Sequence, residues 1–103
     1  MEQPDPTIHQ PVRLKIMAAL KPLSDGALLE FVKLKNLVGA TDGNLGAHLT
    51  TLEEAGYVES EKDFIGKKPR TRVRLSRKGR HAFEDYVAYL RDIIGGEQHG
   101  RES

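Results

Sequence analysis

The chain has 103 residues, 38% hydrophobic and 30% charged, with a net charge of +1. That is enough for one domain around one core, and no apolar run approaches the about 18 residues needed to span a membrane. The absence of cysteine excludes disulfides and thiolate metal sites and is compatible with a reducing cytoplasm.

Residues 1–9, MEQPDPTIH, read as a flexible Pro-rich arm with at most one turn after Asp5-Pro6. The arm has neither a basic start nor an apolar stretch, so it does not read as a secretory signal. Gln10-Pro11 opens a helix, because proline at the first helical position loses nothing by lacking an N–H. Val12, Ile16 and Ala19/Leu20 recur at helical spacing and predict a buried stripe. Lys21-Pro22 ends this helix, and Leu23 to Gly26 is a turn. Glu30 to Val32 reads as a brief strand and Lys33 to Val38 as a short second helix closed by Gly39. The alternative is one continuous helix through ALLEFVKLKNLV.

Thr41 is a good N-cap for a third helix, and Asp42 suits the positive end of its dipole. Leu45, Leu49 and Leu52 form its apolar stripe, and Gly56 is the left-handed C-cap. Tyr57 to Asp63 and Thr71 to Leu75 then read as antiparallel strands around a loop from Phe64 to Arg70. Ser76 caps a last helix from Arg77 to about Ile94, ended by Gly95-Gly96. Residues 95–103 are expected to be a disordered polar tail.

Charge is distributed unevenly along this order. From Lys62 to Arg80 there are nine Lys or Arg against one acid, Asp63, a local balance of +8. Glu53 to Glu61 holds four Glu and no base. Such asymmetry marks a polyanion-binding face; the bland alternative is a solvated ribbon with cross-strand ion pairs.

Three stretches, IHQPVRLKIMAAL, TDGNLGAHLTTLEEAGYVE and KKPRTRVRLSRKGRHAFEDYV, cover most of residues 8 to 90. Together they resemble small winged-helix transcriptional regulators of the MarR/ArsR-like kind. The fold expected is mainly α with a small antiparallel β wing, a winged helix-turn-helix in the order α-β-α-α-β-β-α. It occupies residues 10–94, including a C-terminal dimerisation helix at about 77–94. The resemblance implies double-stranded DNA as partner and a homodimer whose terminal helices pair.

On the third helix the polar outer stripe is Asn44, Ala47/His48 and Thr51, opposite the leucines. Short polar side chains near a helix start can reach base edges in a major groove. Thr41, Asn44, Ala47, His48 and Thr51 are therefore the candidate base-reading residues. Bland alternatives exist: His48 as an exposed surface residue, Asn44 as part of the cap. Gly43 and Gly46 each cost about 1 kcal/mol relative to Ala in a helix, so they imply close approach, either of the second helix or of a phosphate.

In the second strand Arg70, Arg72 and Arg74 share one face. Glu59, Glu61 and Asp63 on the partner strand discount Arg72 and Arg74 as ligand contacts. Lys67, Lys68 and Arg70 at the tip are the stronger candidates for phosphate or minor-groove contact. Arg72, Arg77 and Lys78 are further candidates for the backbone. Arg77 and Lys78 oppose the helix dipole, a conflict that a bound phosphate at the helix start would relieve; the alternative is a solvent-screened surface start.

The last helix carries an apolar stripe of Phe83, Tyr86, Val87, Leu90, Ile93 and Ile94, the candidate dimerisation residues. Its early part is expected to pack on the core and its late part, from Leu90, to meet a partner helix. Any effector of so short a chain would bind at the dimer seam.

Other classes fit less well. A winged helix used for protein contact predicts an uncharged wing tip or an apolar outer stripe on the third helix. A nonspecific or RNA-binding protein predicts clustered aromatics for stacking. No catalytic triad, cysteine nucleophile, phosphate-cradling loop or paired-His motif is present, so an enzyme is not expected. His81 and Asp85, four apart, are the nearest approach to a metal site, and no metal or other cofactor is expected.

Overall fold

The structure is a computed structural model that describes residues 4–102, with side chains described as far as Gly95. Its elements are α1 (Pro6–His9), α2 (Pro11–Leu20), β1 (Leu29–Glu30), α3 (Phe31–Val38), α4 (Asp42–Glu54), β2 (Val58–Ile65), β3 (Lys68–Leu75) and α5 (Arg77–Glu102). The three strands form one antiparallel sheet in the order β1-β3-β2. This is the mainly helical winged helix-turn-helix expected from the sequence, with one short helix added at its start.

Four of the five helices, α3 excepted, begin where a side chain satisfies a free backbone N–H group. Gln10 accepts from the Arg13 N–H at 2.9 Å, and Pro11 follows at the first helical position. Thr41 accepts from the Asn44 N–H at 3.1 Å. Gly39 at φ 70 ends α3, and Gly56 at φ 81 follows α4. Both are left-handed positions that only glycine adopts without strain.

The core is the set of apolar faces these elements turn inward. Ile16, Met17 and Leu20 of α2 meet Leu34 and Val38 of α3, the three leucines of α4, Val58, Val73 and Leu75 of the sheet, and Phe83 and Tyr86 of α5. Each such side chain contributes about 1.5–3 kcal/mol when fully buried. Met17 takes the place expected for Val12, which is only partly buried.

Four boundaries depart from the sequence reading. Residues 5–9 are docked, contrary to a flexible arm. Asp5 caps α1 through the Thr7 N–H at 2.9 Å and accepts from the Tyr57 hydroxyl at 2.5 Å, and Ile8 is fully buried. One buried isoleucine outweighs the loop-like composition around it; the first three residues lie outside the described ones. Next, the strand before α3 is Leu29–Glu30, paired with Val73 and Arg72. Glu30 is both its end and the residue capping α3, so no linker separates the two.

The wing is also longer than expected. β2 runs to Ile65 and β3 starts at Lys68, leaving a two-residue turn of Gly66 and Lys67. Pro69 pairs with Phe64 where β1 no longer flanks β3, a position at which a proline's missing N–H is tolerated. Finally, α5 does not stop at Gly95-Gly96 but continues to Glu102. Gly95 keeps an ordinary negative φ, since glycine permits a left-handed cap without requiring one. The backbone expected as a disordered tail is thus helical to Glu102, about 39 Å of helix at 1.5 Å per residue.

Candidate nucleic-acid interface

The site is built from the outer face of α4 and the hairpin beside it. Leu45, Leu49 and Leu52 anchor α4 in the core, so the opposite face is presented outward at a fixed rotation. Asp42, Gly43, Asn44, Ala47 and Thr50 are exposed on it. Every one is small or short and polar, and the N-terminal half carries no bulky side chain to hold a duplex away. Glu53 and Glu54, exposed at the far end, would repel phosphate there.

The candidate base-reading residues fare differently. Asn44 is exposed, and its backbone N–H rather than its side chain serves the cap. Ala47 is exposed and offers a methyl group. Thr51 is half-buried, with its hydroxyl directed to the Ala47 carbonyl at 3.3 Å. His48 is also half-buried, and its Nδ1 lies 3.1 Å from an Arg13 guanidinium nitrogen. Arg13 in turn donates to the Thr7 carbonyl at 2.6 Å, so His48 ties α4 to α2 and has one ring nitrogen left for a ligand. Thr50, outside the predicted stripe, stands beside Gly43 and Ala47 on the exposed face; a helical projection centred opposite the leucines finds it.

Gly43 and Gly46 are not there to pack against another helix. A methyl group at either would meet nothing within 4 Å, so the close approach of the second helix expected as one reason for them is not met. The glycine required by packing is Gly79, where an added Cβ would overlap the Tyr57 carbonyl. Sequence reasoning missed it because Gly79 sits in an ordinary helical stretch.

The wing's cations divide into held and free. Across the hairpin Glu59 faces Arg74, Glu61 faces Arg72 and Asp63 faces Arg70. Asp63 takes Arg70 through both oxygens, at 2.9 and 2.6 Å. Arg72 reaches Glu61 at 3.6 Å and Asp63 at 3.4 Å. Arg74 bonds Glu59 at 2.8 Å and Glu61 at 3.1 Å. The Arg70 hydrogen bonds hold the Asp63 carboxyl below its ordinary range, and the same contacts raise Arg70. Glu59 and Glu61 likewise raise Arg74. Arg70 does not sit at a tip with few acids in reach, as expected; the longer hairpin places it in the ladder, opposite Asp63. Arg72, a further candidate for the backbone, is held in the same way.

Arg80 leaves the basic count too. It donates to the carbonyls of Lys21 and Leu23, at 3.1 Å each, and pairs with Asp25 at 2.9 Å, closing the turn after α2. Lys78 lies over the Tyr57 ring, 5.7 Å from its centroid. Among the described residues Lys62, Lys67, Lys68 and Arg77 make no ion pair, and all four are exposed. The predicted +8 segment is thus, as a free surface, a few lysines at the wing and one arginine at the α5 start.

Between α4 and the wing runs an open groove of about 620 Å³, with Gly46, Thr50 and Leu49 on one wall and Ser60, Lys62 and Thr71 on the other. A small-residue helix face, a projecting hairpin with free lysines and a groove between them form one continuous side of the molecule.

Comparison with known proteins identifies that arrangement. Residues 12–94 match the family model for a winged helix DNA-binding domain. The chain belongs to the winged-helix DNA-binding family. An uncharacterized protein of Methanocaldococcus jannaschii, MJ0432, is 43% identical over 76 residues, 74% of this chain and 79% of that one. The structure of a transcriptional regulator homologue from Pyrococcus horikoshii OT3 matches with a TM-score of 0.77 at 31% identity, over 87% of this chain and 86% of that one. The transcriptional repressor BigR from Xylella fastidiosa shares the fold, with a TM-score of 0.65 at 24% identity over 84% of this chain and 78% of that one. At the level these matches reach, the chain is a winged-helix DNA-binding regulator and not an enzyme.

The remaining predicted residues lie on α5, away from this face. Phe83 and Tyr86 are buried in the chain's own core, and Val87 and Leu90 pack against it. The Tyr86 hydroxyl lies 2.8 Å from His9 Nδ1. Of the predicted dimerisation stripe only Ile93 and Ile94 stand clear, 44% and 55% exposed. Core packing thus claims the stripe as far as Leu90. Among the described residues no group of three or more His, Cys, Asp or Glu could hold a metal, and no helix is long and apolar enough to cross a membrane.

Proposed function

We infer that the protein is a sequence-specific, double-stranded-DNA-binding transcriptional regulator that acts as a homodimer in the cytoplasm. The observation that carries this reading is the exposed N-terminal half of α4. Its side chains are all short, and the spaces over Gly43 and Gly46 are open. Such a face fits a major groove about 12 Å wide. Asn44 pairs there with an adenine edge, Ala47 meets a thymine methyl, and Thr41 donates to a base edge or phosphate. Thr50, whose hydroxyl donates to the Gly46 carbonyl at 3.0 Å, offers its oxygen as an acceptor to a base amino group. His48 and Thr51 support the helix and contribute less.

Lys67 and Lys68 meet the backbone or minor groove from the wing. Arg77 and Lys78 take a phosphate at the α5 start, where free N–H groups point outward. Arg70 and Arg72 act through the ladder, holding the hairpin straight. The exposed Ile93 and Ile94 pair with those of a second copy, and Leu90 completes the seam. Two-fold symmetry then sets half-sites roughly 34 Å apart, or a multiple of that.

Selection of bound sequences from a random duplex pool at physiological salt tests the reading. The expected result is an enriched, pseudo-palindromic motif whose preference at one adenine in each half relaxes in Asn44→Ala. Recovery of no motif rejects sequence-specific regulation. An Ile93→Asp/Ile94→Asp variant that keeps the wild-type mass in sedimentation rejects the α5 seam.

A further inference from the structure

The wing ends in two large apolar side chains that the fold does not use. Phe64 is 68% exposed and Ile65 56% exposed, and neither belongs to the core. They occupy the last two positions of β2, directly before the Gly66-Lys67 turn, opposite Pro69 and Lys68. Eight-residue strands at about 3.4 Å per residue carry them to the end of the hairpin, Phe64 on one face and Ile65 on the other, where Ile65 edges the groove beside α4. Lysines 62, 67 and 68, all exposed, surround them. The arginine ladder that would otherwise meet a polyanion is held by acids on its own hairpin.

A tip that touched only phosphate would need its lysines and nothing else. A tip that touched an apolar protein surface would be hampered by three lysines that must be desolvated. Cations around an apolar point suit the minor groove, which has phosphate walls and a floor of sugars and base edges. Phe and Ile are among the side chains that part a base step there and kink the duplex.

We propose that Phe64 and Ile65 form an apolar wedge that enters the minor groove beside the α4 site, opens a base step and bends the duplex. The lysines hold the tip against the flanking phosphates. Part of the sequence preference then lies at positions no side chain hydrogen-bonds. Pyrimidine–purine steps, which unstack most readily, are favoured under the wedge. The inference rests on the duplex-DNA reading above and adds a device to it.

The test uses the full chain and duplexes enriched from the random pool, with 2-aminopurine replacing adenine at steps flanking the α4 site and dyes at the two ends. Wild-type protein is expected to raise 2-aminopurine fluorescence at one step per half-site and to bend the duplex by roughly 20° or more. Phe64→Ala/Ile65→Ala is expected to lose both signals, to bind about tenfold more weakly and to keep the salt slope. Phe64→Leu restores most of both signals. Lys67→Ala/Lys68→Ala flattens the salt slope and keeps both signals at saturation. Thermal unfolding of the alanine variant should match wild type, because neither residue is in the core.

An alanine variant that binds with unchanged bend and fluorescence overturns the wedge, as does a wild-type complex with straight, stacked DNA. Loss of a higher oligomer in the alanine variant with the bend unchanged reassigns the tip to contact between copies. Failure of wild-type protein to bind any duplex is a different result: it removes the duplex reading itself, and the wedge with it.

Discussion

The base and the tip of the wing belong to one hairpin and follow opposite rules. At the base the charged groups are paired with one another, and of the buried side-chain polar atoms described only Arg72 Nε lacks a hydrogen-bond partner. Ser76 donates to the Gly56 carbonyl at 2.6 Å and accepts from the Gly79 N–H at 2.9 Å. Gly79 presses on Tyr57, and three arginines are matched one for one with three acids. At the tip Phe64, Ile65, Lys67 and Lys68 are exposed and make no ion pair among the described residues. Basic residues stand at both ends of the hairpin, yet only those at the tip are available. A cation counts toward a ligand only when no acid of its own chain already holds it.

Substitutions at the base should therefore alter stability and those at the tip should alter binding. The largest effect expected is at Gly79. Gly79→Ala places a methyl group on the Tyr57 backbone and should cost about 3 kcal/mol or more, read as a fall in the denaturant midpoint. A loss under about 1 kcal/mol would mean that the joint between α4 and α5 is soft. Ser76→Ala removes the α5 cap and should cost about 1–2 kcal/mol with the salt dependence of binding unchanged.

At the tip, Lys67→Ala/Lys68→Ala should leave the unfolding midpoint alone. It should reduce the slope of log affinity against log salt by about 0.9 for each phosphate that is no longer neutralised. An unchanged slope would break the distinction between base and tip. Arg74→Ala should do the reverse, costing at most about 1 kcal/mol of stability with no change in salt slope.

At neutral pH the titrations contribute no pH dependence, and their effects appear only toward the extremes. Burial, and then the Asp5 hydrogen bond and charge, push the Tyr57 phenol up to about 12 from an ordinary 10.0. A raised folded value means the folded state holds the proton longer. Its contribution is complete below pH 10 and is lost as pH rises toward 12. Tyr57→Phe should flatten that stretch of the stability–pH curve. Asp63 has the opposite sign: its lowered folded value gives a contribution present above its ordinary range and lost on acidification through the lowered one. Asp63→Asn should remove that acid limb, and a limb that persists would place it elsewhere.

Much of the fold and of the α4 face is legible in local pattern. The α4 leucines at helical spacing set which face turns outward, so Asn44 and Ala47 are exposed as the sequence implied. Thr41 and Gly56 mark the helix ends by their side-chain chemistry. The alternation of β3 puts three arginines on one face opposite acids. Legibility stops where a contact joins residues distant in the chain. The Pro-rich arm carries no sign that Ile8 enters the core, His48 no sign of Arg13, and Arg80 no sign of the turn after α2.

What the sequence by itself determined is the order of elements from α4 to α5, the outward face of α4 and the sign of charge on the wing. These follow from periods of about 3.6 and 2 residues and from capping, all of which act within a few residues. Only the tertiary structure decided which charges are free. The register of β2 on β3 sets Asp63 against Arg70, and the fold brings Lys21, Leu23 and Asp25 to Arg80. It also decided which apolar residues lack a partner, leaving Phe64 and Ile65 at the tip while Phe83 and Tyr86 enter the core. Burial and pairing depend on what arrives from elsewhere in the chain, and no local pattern records that.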